Sequence, residues 1–288
     1  METPKEALED FRRLTIASAR AGLYVLREEG KTEDALATLV DSTHEQSGVM
    51  VERLHDKWDP TRRHLPVCDE GCAWCCHVSV LVAPAEALRI AAHLRATRSP
   101  EELAQVRARI ADVAEKTREA TQEERMKMRL ACPLLDVERG SCTIHEVRPG
   151  MCRAYNSCDV KACVNAYETG DLRAPIPGNK GQQDGVTAVW VGMLAASALA
   201  GLDATVVELS AAIDLALREE DAAERWLNGE RLFEIARTKL SREGAVRATA
   251  ATQAAMKSVR ELHPGEVPAQ EKPRAMTRNE KKRARKKR

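Results

Sequence analysis

The stretch CDEGCAWCCH places Cys68, Cys72, Cys75 and Cys76 within nine residues, with His77 directly after them. Cys132, Cys142, Cys152, Cys158 and Cys163 follow, for nine cysteines in all. Nine is odd, so complete pairing within one chain is impossible. The opening METPKEALEDFRRL is charged and amphipathic, without the apolar stretch of a secretory signal. The chain is therefore expected in a reducing cytoplasm, where structural disulfides are rare. That leaves metal or thiol chemistry to explain the crowding.

A thiolate is a soft, anionic ligand suited to zinc, copper(I) and iron–sulfur clusters. Two thiolates two to four residues apart reach one centre across a tight turn. Cys68-x3-Cys72-x2-Cys75 has this spacing. Cys75 and Cys76 are adjacent, so their side chains are expected to diverge, and one of them can face a second site formed with the distal cysteines. A closed zinc site takes four ligands, and simple iron–sulfur clusters also take four cysteines. Nine thiols serve two such sites with one over, or one site plus packing or redox thiols. The spacing does not choose between these counts. Cys163, the last in order, is read as the spare.

Other readings of the same residues are weaker. Cys72-Ala73-Trp74-Cys75 resembles a thioredoxin pair but lacks the βαβ setting. The x3-x2 spacing also matches the cluster motif of radical SAM enzymes, yet no alternating β/α pattern follows it. His77 and His145 stand beside cysteines and are read first as polar or packing residues, with ligation as the alternative. His44 and His55 are read as solvated.

Aromatic residues are scarce, with Phe11 and Phe233 the only phenylalanines, while alanine and charge are abundant. This favours helices packed through small and aliphatic side chains. The fold is expected to be mainly α, with a small α+β cysteine-rich metal-binding domain and short strands or a hairpin only around the cysteines. Four regions follow. Residues 1–60 read as a helical hairpin: Thr3-Pro4-Lys5-Glu6 opens the first helix, Gly30 ends it, Thr32 caps the second, and Asp59-Pro60 stops that one. Residues 62–166 are the cysteine domain. There VSVLV reads as a strand, Pro84 and Ser99-Pro100 open helices, the second of them running toward Met128, and CPLLDVERGSCTIH reads as a hairpin. The stretch carrying Cys152, Cys158 and Cys163 reads as loop-rich. After a polar linker at 169–185 comes a helical region at 186–262, broken at Asn228-Gly229, with Ser241 starting its last helix. Residues 263–288 read as a disordered basic tail.

The stretch 185–202 has no charged residue. It is long enough to be weighed as a membrane span, but its alanine and glycine content favours a buried helix. The last eighteen residues carry ten Lys/Arg and two Glu, a charge of +8 in a chain of net +1, so residues 1–270 carry −7. Such a tail solubilises, or binds polyanions such as RNA and DNA without sequence preference, since no aromatic is interleaved for base stacking.

Taken in order, CDEGCAWCCHVSVLVAPAEALRI, CPLLD, CTIHEVRPGMCR and the later Cys158 resemble the CxxCxxCC cysteine-cluster family, the YkgJ-type domain. The match runs through Glu86 in a helix after the cluster, Cys132-Pro133-Leu134-Leu135, and then Cys142, Ile144, Arg148, Pro149, Cys152 and Arg153. His145 stands where the family usually has tyrosine. The resemblance implies zinc or iron chelation, with Cys68, Cys72, Cys75, Cys76, Cys132, Cys142, Cys152 and Cys158 as candidate metal ligands. The cofactor the resemblance leads one to expect is zinc or an iron–sulfur cluster. Flagellin lysine methylases carry a related cluster, which makes an iron–sulfur-dependent methyl transfer the enzymatic alternative. A nucleic-acid-associated factor with a metal-stabilised core is the third reading. Arg148 and Arg153 are expected to pair with thiolate charge or to brace loop carbonyls.

Overall fold

The computed structural model describes residues 4–58 and 65–267. Two long helices come first, α1 (Pro4–Glu28) and α2 (Glu33–Trp58). Between them Gly30 takes φ 74° and Thr32 Oγ1 accepts the Ala35 N–H at 3.1 Å. The stop at Asp59-Pro60 and the basic segment 271–288 lie outside the described residues, as does the side chain of His55.

The cysteine segment contributes β1 (Leu81–Val82), α3 (Pro84–Thr97), α4 (Pro100–Thr117), α5 (Gln122–Met128), β2 (Leu135–Asp136), β3 (Ser141–Cys142), α6 (Gly150–Ala154) and α7 (Val160–Thr169). The rest is α8 (Lys180–Leu199), β4 (Val207–Glu208), α9 (Leu209–Arg218), α10 (Ala222–Leu227) and α11 (Lys239–Leu262). The protein is mainly α, with two short antiparallel strand pairs among the described residues.

Several boundaries differ from the sequence reading, each for a local reason. Helix α4 stops at Thr117, and Thr121 caps a separate α5 through a reciprocal bond with Glu124. The stretch after Cys152 is helical, because Asp159 caps α7 and Gly170, at φ 67°, ends it. The linker is shorter than expected, since the Asn179 side chain caps α8 by accepting the Gln182 N–H at 3.0 Å. Thr238, not Ser241, caps α11, and Ser241 is its reciprocal partner one turn in. Strand β1 pairs with β4, Leu81 opposite Glu208 and Val82 opposite Val207, so one strand comes from the region read as helical.

Helix α8 explains the uncharged stretch. Val186, Val189, Trp190, Met193 and Leu194 are buried along it, and it packs against both α1 and α2. Gly192 permits this: a Cβ there would lie 2.5 Å from Ser18 Cβ. Ser18 Oγ donates to the Val189 carbonyl across the same contact at 3.0 Å. Among the described residues no helix is long and apolar enough to cross a membrane. The core around α8 draws Leu39, Ile90, Ile110, Leu134, Ile213 and Phe233 from before, within and after the cysteine segment. Each such side chain contributes about 1.5–3 kcal/mol by leaving water.

Candidate metal centre

The first cysteines lie on a loop and a single 3-10 turn, Trp74–His77. His77 Nδ1 donates to the Ala73 carbonyl at 3.1 Å and so closes the turn on itself. The Cys76 N–H donates to the Ala73 carbonyl at 2.9 Å in the same turn.

The expected hairpin forms from β2 and β3, with Leu135 opposite Cys142 and Asp136 opposite Ser141. Asp136 Oδ1 accepts the Glu138 and Arg139 N–H groups, each at 3.1 Å, which sets the turn. The hairpin then lies directly on the cysteine loop. Gly140 has φ 64°, and a Cβ there would stand 2.6 Å from the Gly71 carbonyl oxygen. The Cys132 N–H donates to the Cys76 carbonyl at 2.7 Å. Only a residue without a side chain allows the first approach, and the second carries Cys132 to the turn holding Cys75 and Cys76.

Cys152 sits on α6, whose position Glu86 sets. The Glu86 side chain is fully buried on α3. Its Oε1 accepts the Gly150 N–H at 2.6 Å. Its Oε2 accepts the Ala83 N–H at 2.9 Å and the Trp190 indole N–H at 2.8 Å. One carboxyl thus ties α3, α6 and α8 together two residues from Cys152. His44 Nε2 lies 3.8 Å from Glu86 Oε1. Against the expectation of a solvated residue, His44 is buried, and neither ring nitrogen has a hydrogen-bond partner. The amphipathic pattern of α2 hides this, because α6 and α8 cover a face that the helix alone leaves open.

Helix α7 carries Cys163 and Tyr167. The Tyr167 ring meets Trp74 with centroids 5.2 Å apart and His77 edge-on at 4.8 Å. His77 is therefore a packing residue of this aromatic group, while His145 stands exposed, its basicity lowered chiefly by the Arg148 charge. Cys158 precedes α7, and its N–H donates to the Pro177 carbonyl at 2.7 Å.

None of the nine cysteines is in a disulfide; Cys68 is exposed and the others are half-buried. Burial pushes Cys132 up to about 12 and raises Cys72, Cys142, Cys152 and Cys163. Cys75 is raised first by its hydrogen bond with Cys76 and then by burial. Arginines act the other way. Arg148 favours the thiolates of Cys75 and Cys142, and its buried Nε has no hydrogen-bond partner. Arg125, which the sequence gave no reason to single out, is buried, donates to the His77 carbonyl at 3.0 Å and favours the Cys132 thiolate. Arg153 braces the loop, donating to the Arg148 carbonyl at 3.0 Å and the Glu146 carbonyl at 2.6 Å.

These shifts set a pH dependence for the metal-free chain. Unfolded thiols ionise near ~8.5, whereas the fold holds several of them protonated above that. Below about pH 8 both states keep these protons and the full stability is present. As pH rises through ~8.5 the unfolded chain loses protons first, and stability falls. Chemical denaturation of metal-free protein at about pH 7 and about pH 9.5 checks this. A midpoint that stays level or rises contradicts it.

Among the described residues no three Cys, His, Asp or Glu side chains are gathered into a ready-made metal cage. The donor set nevertheless fits a soft metal: cysteines outside any disulfide from separate segments, with buried arginine charge beside them. The fold and this set define a helical protein carrying a thiol-rich segment. Residues 67–171 match the model of the CxxCxxCC family, whose description is "Putative zinc- or iron-chelating domain". No curated protein and no solved structure matches the chain.

Proposed function

We propose that the protein chelates a soft metal, as zinc or an iron–sulfur cluster, in a metal-binding module of the cytoplasm. Cys68, Cys72, Cys75, Cys76, Cys132, Cys142, Cys152 and Cys158 are the ligand set proposed. The observation that carries this reading is the docking of the β2–β3 hairpin on the cysteine loop, through Gly140 against the Gly71 carbonyl and the Cys132 N–H on the Cys76 carbonyl, which sets cysteine-bearing segments from distant parts of the chain side by side. When bound, the metal supplies ligation energy that ties these short elements to the helical frame. Arg148 and Arg125 offset thiolate charge, Glu86 fixes the helix bearing Cys152, and Arg153 holds the turn between Cys142 and Cys152. Anaerobic purification of the full chain, followed by metal analysis and a visible spectrum, tests the proposal. A brown protein with charge-transfer absorption identifies an iron–sulfur cluster, and a colourless one containing zinc identifies zinc. A chain that carries neither and takes up neither overturns it.

The basic segment 271–288 is proposed to bind polyanions by counterion release. Its removal is expected to weaken binding to RNA and duplex DNA alike, with a shallower salt dependence, and to leave metal content unchanged. Equal affinities with and without the segment reject the proposal and leave a solubilising role.

A further inference from the structure

His44 is 6% exposed, and neither of its ring nitrogens has a hydrogen-bond partner. The buried hydroxyls beside it on α2 are satisfied within the helix. Thr43 Oγ1 donates to the Leu39 carbonyl at 2.7 Å, and Ser47 Oγ donates to the Thr43 carbonyl at 2.8 Å. A buried nitrogen without a partner costs stability, so packing alone would favour an apolar side chain here.

What the ring faces is Glu86. A carboxylate offers about four acceptor positions. Oε2 uses two of them, on the Ala83 and Trp190 N–H groups, and Oε1 uses one, on Gly150. The remaining position belongs to Oε1, and Oε1 is the oxygen that lies 3.8 Å from His44 Nε2. Among the described residues no lysine or arginine forms an ion pair with Glu86. At this separation the contact is electrostatic rather than a hydrogen bond, and burial strengthens it by excluding water.

We propose that His44 is a positioning residue of the thiol site: it presents a proton on Nε2 to the open side of Glu86 Oε1 and so holds the carboxyl on Gly150, where the helix bearing Cys152 begins. Helix α2 thereby becomes the fourth helix tied to the carboxyl that joins α3, α6 and α8. The consequence at Cys152 rests on the metal-binding reading above, while the contact with Glu86 does not.

Full-length wild type, His44→Leu and His44→Gln are compared. Leucine fills space without either nitrogen, and glutamine keeps an N–H donor. A histidine that only fills space predicts that His44→Leu is as stable as wild type or more so. The proposal predicts the reverse. His44→Leu should show a lower denaturant midpoint, a displaced Trp190 indole N–H resonance and zinc affinity roughly tenfold weaker, as for groups that orient a metal's ligands. His44→Gln should recover much of each. A folded His44→Leu that matches wild type in midpoint, in indole resonance or in zinc affinity overturns the proposal, and so does a His44→Gln no better than His44→Leu. If His44→Leu does not fold, the wild type decides through the nitrogen NMR shifts of the His44 ring, which report where its proton sits. A protonated Nε2 supports the proposal and a bare Nε2 overturns it. A wild type that takes neither zinc nor iron overturns the metal-binding reading alone, and the indole resonance and the ring proton still decide on His44.

Discussion

Glu86→Ala is expected to cost the fold about 3–5 kcal/mol and to remove most of the bound metal. The carboxyl accepts three N–H groups, from Ala83, Gly150 and the Trp190 indole, in a fully buried setting. Each buried donor left without an acceptor costs about 1–3 kcal/mol, and water entering the vacated space offsets part of the sum. The metal effect follows from geometry. Gly150 opens α6, and Cys152 lies on that helix. Glu86→Gln keeps the volume but turns an amide NH2 toward donors, so it is expected to fall between wild type and alanine. Denaturant midpoints and metal per chain are the measurements. A Glu86→Ala midpoint within about 1 kcal/mol of wild type contradicts the assignment.

Removing the metal is expected to open the loop-and-turn parts of the cysteine segment and to leave its long helices folded. Helices α3 and α4 bury Ile90, Leu94, Val106 and Ile110 in the main core, whose buried members include no cysteine. The loop bearing Cys68 and Cys72, the hairpin, α6 and α7 are short and share few backbone bonds, so ligation supplies much of their stability. Hydrogen exchange after chelation should show protection lost by orders of magnitude across 65–80 and 130–165 and retained in α3, α4 and α8. Unchanged exchange after verified metal removal sinks this prediction.

What the sequence disclosed was local. Pro84, Ser99-Pro100 and the Thr32 cap announce helix starts because cap and turn residues act within a few positions. The CPLLDVERGSCTIH hairpin is legible for the same reason, through Asp136 and Gly140. The cysteine spacing disclosed thiol chemistry, and the ordered motif picked out Glu86 before its partners were known. Non-local relations stayed hidden. The burial of His44 depends on α6 and α8 covering it. The pairing of β1 with β4 joins segments that carry no common signal. Arg125 looks like any charged residue of a short polar helix until Cys132 arrives beside it. The bonds between Ser157 and Cys68 follow only from the folded path of the chain.

The contact of Gly140 with the Gly71 carbonyl has a consequence for how the protein is made. The two glycines are distant in sequence, and the chain between them includes α3 and α4, which belong to the main core. Bringing such remote points together carries a loop-closure cost and is slow compared with helix formation. A nascent chain therefore displays Cys68, Cys72, Cys75 and Cys76 well before Cys132, Cys142 and Cys152 can join them. During that interval the early thiols are open to oxidation and to capture of the wrong ion. Delivery of metal to the already compacted chain, under reducing conditions, is the order of events this topology favours.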